Sequence, residues 1–133
     1  MPVTGLIRRH GLIIVPARLW GRDGTVAVMH LALDTASTET LIKPHVLARL
    51  GYTAHDAERM TRIQSAIGSE AGYLVRVARL WALGFEVGEH PVHAHELPGQ
   101  YDIDGLLGLR FLDHFDYQIR SRRREIDVQL AHA

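Results

Sequence analysis

The sequence predicts a mostly β protein, a small and mostly antiparallel β-barrel or sandwich with one or two short helices. Glycine and proline turn signals recur at short intervals along the chain. Between these signals apolar residues alternate or form short runs, and none of the runs keeps the 3.6-residue periodicity of a long helix. Many short strands separated by turns are typical of barrels and sandwiches.

The first strands are predicted on either side of a tight turn. Residues 11–20 and 25–33 are apolar segments joined by "GRDG", a glycine-bounded turn of the hairpin type. A third and shorter strand is expected over residues 39–42, where the chain becomes apolar again. The N-terminal third of the chain therefore predicts a hairpin followed by one short strand.

Two short helices interrupt the strands. The segment 43–51 favours a helix, because Pro44 lies in its first turn and Gly51 stands just past its end. Residues 52–61 are polar and predict a connection. A second helical turn is expected over residues 109–115, directly after a glycine.

The remaining strands are short and are bounded by glycine or by charged turns. Residues 62–67 and 72–80 flank "GSEAG", which predicts a glycine-framed hairpin tip. The last pair of strands is expected to form a hairpin around "RSRRR". These later strands are predicted over residues 85–87, 91–97, 103–108, 116–119 and 125–130.

Composition excludes several classes of function. A chain of 133 residues has the length of one domain, 1–133. Fifteen basic and fifteen acidic residues cancel, which leaves no overall field for nucleic acid or an anionic membrane. Cysteine is absent, so disulfides, thiolate metal sites and thiol nucleophiles are excluded. Without a membrane-length apolar run or a clear signal-peptide cleavage site, we expect a cytoplasmic protein with no membrane or nucleic-acid partner.

One acid stands out because it ends an apolar strand. Asp34 follows "LAL" and precedes Thr35, Ala36 and Ser37. A carboxylate in such a place loses hydration, and it is tolerated if its neighbours compensate for it or if its chemistry is needed. The ordinary explanation is a loop acid that caps a nearby turn. Further along the chain, "GLLG" runs into the predicted second helix.

Together these two motifs resemble the retropepsin-like aspartic proteases, in particular their bacterial single-domain members. The family's active loop, Asp-Thr/Ser-Gly-Ala/Ser, is matched by residues 34–37, and its apolar-apolar-Gly signature before a short helix by Leu106, Leu107 and Gly108. "GLIIVPARLWG" is similar to the first strand and "AIGSEAGY" to the flap hairpin. The resemblance implies a closed antiparallel β-barrel of the retropepsin (acid protease) type, forming one half of a homodimeric protease.

The resemblance implies that Asp34 is the catalytic residue of an aspartic endopeptidase. In this chemistry two carboxylates share one proton around a water molecule, one as general base and one as proton donor. The chain supplies one such acid, since Asp23, Asp102 and Asp104 lack the Thr-small-Ser sequence that follows Asp34. A second copy of the chain would supply the other carboxylate, and the mechanism would need no metal or organic cofactor.

Supporting roles follow from the same resemblance. Thr35 would hold the two active loops together across the two-fold axis, while Leu107 and Gly108 would cradle the loop. Gly68 and Gly72 would let the tip of the flap bend over an extended peptide substrate. The residues that the resemblance places in the flap and the substrate pocket are Ile67, Gly68, Ser69, Gly72, Tyr73 and Leu106.

Two positions of the active loop carry expectations of their own. Ser37 is expected to donate a hydrogen bond to the outer oxygen of Asp34, which would lower the pKa of that carboxyl. Ala36 stands where the family has glycine, so each carboxylate of the pair would have an additional methyl group beside it. The alternative function is therefore a catalytically silent dimer that binds peptides or serves as an assembly module.

Two charged segments permit other interpretations. His93 and His95 alternate onto one strand face with His90, Glu96 and Asp102 near in sequence, and imidazole with carboxylate suits zinc or nickel. A solvated strand face explains the alternation equally well, and the sequence holds no HExxH motif. "RSRRR" could contact phosphates, but a solvated hairpin turn is the ordinary explanation.

Overall fold

The computed structural model describes residues 3–65 and 68–131 and confirms the mostly β class. Within these residues the chain forms short strands, two short α-helices and two 3-10 turns, Ala54–Asp56 and Gly99–Tyr101. The helices are α1 (Pro44–Arg49) and α2 (Leu109–Leu112). The strands are β1 (Val3–Gly5), β2 (Ile7–Arg9), β3 (Leu12–Trp20), β4 (Val26–Leu33), β5 (Leu41–Ile42), β6 (Arg59–Ser65), β7 (Gly68–Ala82), β8 (Phe85–Ala94), β9 (Gly105–Leu107), β10 (Phe115–Arg120) and β11 (Glu125–Leu130).

The larger sheet is linked into a ring of strands. Its order is β2-β3-β4-β9-β5-β8-β7-β6, and β3 pairs in addition with β7 through residues 17–20. Six strands, β3, β4, β9, β5, β8 and β7, are thereby connected in a circle of pairings. The pairings show this circle of strands, whereas the closed barrel of the retropepsin type stays a prediction.

Two contacts in this ring are parallel, so the predicted antiparallel arrangement is wrong there. β4 runs parallel to β9, with Leu31 opposite Gly105 and Leu33 opposite Leu107, and β5 runs parallel to β8. The short β5 is antiparallel to β9. Because β4 and β9 run in the same direction, the residues that follow each of them emerge at the same end of the sheet. This end of the ring carries the candidate site.

The hydrophobic core lies on the inner face of the ring. Ala17 and Leu19 of β3 and Met29 and Leu31 of β4 are fully buried, while the alternating outer position Arg18 is exposed. The helices pack on the same core through buried pairs. The buried residues of the helices are Val46, Leu47, Phe111 and Leu112. Alternation in the strands thus sets the inner face as the sequence pattern predicts.

A second, three-stranded sheet has the order β1-β11-β10. Ile126 and Val128 of β11 are fully buried and join the same core as the ring. β1 and β2 were not predicted from the sequence, because each has three residues and shows no clear alternation. The predicted hairpin around "RSRRR" is present as β10 and β11.

Several predicted boundaries shift because turn residues lie inside paired strands. The polar connection 52–61 contains a 3-10 turn and already enters β6 at Arg59. The two strands predicted around residues 88–90 form the single strand β8, in which Gly88 pairs with Arg79 and Pro91 with Arg76. Glu89 lies between these two pairs and has a left-handed backbone conformation with φ of 46°. The regular pairing of β7 with β8 is interrupted at this residue.

The predicted hairpin tip at "GSEAG" is wrong in register. β6 and β7 pair as far as Ser65 opposite Gly68, and Thr61 lies opposite Gly72. Residues 68–72 therefore belong to β7. Residues 66 and 67 lie outside the described part of the chain.

Neither α-helix in the described ranges is long and apolar enough to span a membrane.

Candidate active site

Asp34 stands at the first position after β4 and is fixed by three hydrogen bonds. Its backbone N–H donates to the carbonyl oxygen of Leu107 at 3.0 Å, which continues the β4–β9 pairing into the loop. Its Oδ1 atom accepts the backbone N–H of Ala36 at 2.9 Å, and its carbonyl oxygen accepts the N–H of Ser37 at 3.2 Å. These bonds form a tight turn that keeps the half-buried carboxyl in one orientation.

Thr35 and Ala36 form the outer corner of this turn. Both residues are exposed, and Thr35 makes no side-chain hydrogen bond to any residue that the structure describes. The methyl group of Ala36 is therefore not confined by the fold of its own chain. Thr35 is free for the role in dimer assembly that the sequence predicts, and that role stays a prediction.

Ser37 does not make the predicted hydrogen bond to Asp34. Its side chain is fully buried, and its hydroxyl donates to the carbonyl oxygen of Glu39 at 2.8 Å. The hydroxyl thereby supplies a donor to a partly buried carbonyl acceptor. The backbone N–H of Ala36 takes the place next to Asp34 that the sequence interpretation gave to Ser37.

Gly108 cradles the loop through a close approach of two backbones. A Cβ atom at this position would collide with the carbonyl oxygen of Glu39 and would lie 2.8 Å from that of Ser37. The N–H groups in the first turn of α2 have no acceptor within the helix, and two of them donate to the same loop. The N–H of Leu109 donates to the carbonyl oxygen of Ser37 at 2.9 Å, and that of Arg110 to the carbonyl oxygen of Thr38 at 2.8 Å. Only glycine fits between the loop and the start of the helix.

The neighbours of Gly108 complete the cradle. Leu107 is fully buried in the main core, and its carbonyl oxygen is the one that holds Asp34. The N–H of Gly108 donates to the buried hydroxyl of Thr40 at 3.3 Å. Thr40 was missed by the sequence analysis, since a threonine in "STET" is not distinguishable from any other turn residue.

An ion pair behind the loop, between the mostly buried carboxylate of Glu39 and the exposed guanidinium group of Arg110, was also missed. Glu39 accepts two hydrogen bonds from the guanidinium group of Arg110, both 2.6 Å long, and its Oε2 atom lies 3.7 Å from Nε2 of His93. The Arg110 hydrogen bond lowers the pKa of the Glu39 carboxyl against the opposing effect of burial. No local pattern connects residues 39, 93 and 110, so the sequence alone gave no signal for this contact.

An apolar cavity of about 110 Å³ opens beside Asp34. Leu106 lines this cavity, and Tyr101 stands at its border as the only other titratable residue of the lining. The remaining wall is aliphatic. The lining residues are Leu12, Ala32, Leu33, Asp34, Tyr101, Ile103 and Leu106. Its volume and aliphatic wall leave room for an apolar group next to the carboxyl.

The other predicted substrate residues lie elsewhere. Tyr73 of β7 is half-buried against the main core, does not line this cavity, and has its pKa raised by burial. Gly72 allows β7 to approach β8, because a Cβ atom there would collide with the carbonyl oxygen of Ala94. Gly68 and Ser69 lie in the paired start of β7, while Ile67 is outside the described residues.

The histidine segment is buried, so the interpretation of a solvated strand face is wrong. His90, His93 and His95 are at most 5% exposed. His90 packs edge-on against Phe111, and burial lowers its pKa to about 4, assisted by the nearby His114. Nowhere in residues 3–65 and 68–131 do three or more histidine or acidic side chains converge as metal ligands.

Comparisons with known proteins agree with this arrangement. The profile of a family described as "Aspartyl protease" matches residues 15–111, a range that includes both the Asp34 loop and the Gly108 cradle. The fold is similar to the crystal structure of a retropepsin-like aspartic protease from Rickettsia conorii, with a TM-score of 0.64 and 17% sequence identity. That similarity covers 93% of this chain and 86% of the other. A search of curated proteins finds no match.

Proposed function

The chain belongs to the aspartyl protease family, and on this premise we propose that it is an aspartic endopeptidase that acts as a homodimer. The two copies would place their Asp34 carboxyls side by side around one water molecule. One carboxylate would take a proton from the water, while the other, protonated, would donate to the carbonyl oxygen of the scissile peptide bond. The two acids would titrate as one coupled pair, because close like charges do not ionise independently.

The observation that carries the proposal is the way in which Asp34 is presented. The carboxyl is half-buried on a turn whose backbone is fixed from β9, and it borders an apolar cavity. Thr35 and Ala36 next to it are exposed and make a corner that a second copy can cover. A loop acid that merely caps its own turn would need neither the cavity nor the cradle at Gly108.

The proposed substrate is an extended peptide with an apolar side chain at the cleavage site. That side chain would enter the cavity of about 110 Å³ against Leu106 and Ile103. The β6–β7 hairpin would act as the flap, and the peptide would pair with it through main-chain hydrogen bonds. In this proposal the ring of strands forms the predicted closed barrel.

The test uses Asp34→Asn, which keeps the size of the side chain and removes the ionisable pair. We expect the wild type to cleave peptides with apolar residues at the scissile bond and the variant to lose this cleavage completely. Sedimentation should show a dimer for both proteins, since the variant keeps Thr35 and the loop. Cleavage that survives in Asp34→Asn would contradict the proposal.

Ala36→Gly separates the enzyme from a silent binding module. On the proposed function the wild type is active and Ala36→Gly changes its rate by less than about tenfold, because the exposed methyl group is accommodated. A silent wild type that gains pepstatin-sensitive cleavage through Ala36→Gly would overturn the proposal in favour of a dimer that only binds peptides. Ala27→Gly, at the second position of β4, is the control for the effect of an additional glycine.

A further inference from the structure

The loop after Asp34 is connected to its far end by a relay of hydrogen bonds. The carbonyl oxygen of Asp34 accepts the N–H of Ser37 at 3.2 Å. The hydroxyl of the fully buried Ser37 then donates to the carbonyl oxygen of Glu39 at 2.8 Å. The placement of Asp34 therefore depends on where the backbone of Glu39 is held.

Glu39 itself is anchored by its side chain. The carboxylate is 15% exposed and receives two parallel hydrogen bonds of 2.6 Å from Arg110. A two-pronged contact between guanidinium and carboxylate fixes direction as well as distance. Arg110 also donates its backbone N–H to Thr38 at 2.8 Å, so helix α2 holds this half of the loop by main chain and by side chain.

The groups that face the Glu39 carboxylate make it a stable anion. Arg110 faces it from α2, and His93 and His90 face it from β8. Arg59 and Arg76 line the same polar cavity, of about 240 Å³, from β6 and β7. Glu58, the other acid of this cavity, is paired with Arg76 at 2.7 Å and lies outside the Asp34 loop.

We infer that Glu39 is a positioning residue for Asp34, which it orients through Ser37 while Arg110 holds its carboxylate. This inference rests on the proposed function. Without the anchor, the carbonyl oxygen of Glu39 and the Ser37 hydroxyl lose their fixed positions, and the turn that orients Asp34 loosens. Displacements of about 1 Å at reacting groups reduce rates by as much as roughly a hundredfold.

The test compares Glu39→Gln with the matched control Glu58→Gln. Both variants remove a carboxylate that is paired with an arginine at the same cavity, but only the first is connected to Asp34. We expect Glu39→Gln to lower kcat by at least about tenfold with KM changed by less than about threefold. Glu58→Gln should leave both constants within about twofold of the wild type.

A second readout distinguishes positioning from simple loss of stability. Because the apparent pKa values of the Asp34 pair depend on its geometry, Glu39→Gln should shift the acid limb of the pH profile of kcat, and Glu58→Gln should not. Arg110→Gln should give the same shift, and the double variant no more than either single one. Equal profiles for Glu39→Gln and Glu58→Gln, or a loss of kcat that only follows the unfolded fraction, would overturn the inference.

The positioning role of Glu39 can also be tested without measuring catalysis. If the wild type does not cleave peptides, the proposed function falls, and the titration of the Asp34 carboxyl followed by NMR still reports on its surroundings. A changed titration in Glu39→Gln, with an unchanged one in Glu58→Gln, would support the positioning role. Identical titrations in the wild type and both variants would contradict it.

Discussion

The ring of strands is joined by different means at two of its contacts, β3–β7 and β4–β9. At the β3–β7 seam, two antiparallel strands present Arg18 opposite Trp81 and Trp20 opposite Arg79 on the outer face. The guanidinium carbons lie 5.3 Å and 4.7 Å from the centres of the indole rings. At the site, β4 and β9 run parallel, and buried polar groups and main-chain donors connect the loop to α2.

The two regions differ in how the remaining groups are satisfied after a contact is lost. At the seam the arginines are exposed, so water solvates the groups that a substitution leaves behind. At the site the hydroxyls of Ser37 and Thr40 are fully buried, and a lost donor leaves an acceptor without a partner. We therefore expect the seam to tolerate substitution and the site to respond strongly.

The largest effect is expected for Gly108→Ala. The new methyl group would collide with the carbonyl oxygen of Glu39, and the backbone of the loop or of α2 has to move. Such strain, together with broken hydrogen bonds, should lower the free energy of unfolding by on the order of 4 kcal/mol. Urea denaturation measures this, with Gly5→Ala as control, since a methyl group at Gly5 meets no atom within 4 Å. Equal losses of unfolding free energy in both variants would contradict the role of Gly108 in holding the loop.

The next effect is a dependence of stability on pH from His90, which packs on α2 at the site side of the ring. Its pKa of about 4 lies below that of an unfolded histidine, mainly because of burial. As the pH falls from about 6.5 to about 4, the unfolded chain gains a proton that the folded chain does not, so stability decreases by roughly 3 kcal/mol. Above this window the contribution is constant.

His90→Leu should reduce the slope of unfolding free energy against pH in that window, as followed by denaturation at several pH values. The exposed His30→Gln is the control and should leave the slope as it is. A slope that is unchanged in His90→Leu would assign the acid sensitivity to other groups, of which buried His93, with its lowered pKa, is the first candidate.

A smaller effect is expected for Ser37→Ala. The substitution removes the donor to the Glu39 carbonyl oxygen and leaves that oxygen unpaired, which costs about 1–3 kcal/mol. Thermal denaturation should show a loss that is absent from Ser121→Ala, because Ser121 is exposed on the β10–β11 turn. If Ser37→Ala also lowers kcat as Glu39→Gln does, the two residues act in one relay.

The smallest effect is expected at the seam. Arg18→Gln keeps much of the side chain and removes the charge over Trp81, at a cost of about 0.5–1 kcal/mol. Exposed Arg8 serves as the control, and Arg8→Gln should be neutral within about 0.5 kcal/mol. A loss for Arg18→Gln as large as that for Ser37→Ala would contradict the distinction between the two regions.

What could be predicted from the sequence was local. The Asp34 loop and the Leu107-Gly108 cradle are each contiguous motifs, and the alternation of β3 and β4 indicated which residues point inward. The contact of Glu39 with Arg110 and His93 joins distant parts of the chain, and no short pattern encodes it. For the same reason, alternating histidines showed that they share a face but not that this face is buried.

Gly72 illustrates a different kind of error. A glycine is required both by unusual turns and by close backbone contacts, and the two uses look identical in a sequence. Here the neighbour is the carbonyl oxygen of Ala94 on an adjacent strand, so the glycine marks strand packing. The register of the β6–β7 hairpin is set by the pairing of its two strands. The two glycines of "GSEAG" predicted the hairpin tip at the wrong position.

The bond between Asp34 and Leu107 also sets an order in time. During synthesis the acid loop leaves the ribosome well before β9 and α2, the elements that hold it. Contacts between parts of the chain so far apart form late and slow the folding of a β-rich domain. An immature chain thus carries its aspartate on a loop with neither cradle nor anchor, and the fixed geometry around Asp34 arises only after β9 and α2 have joined the fold.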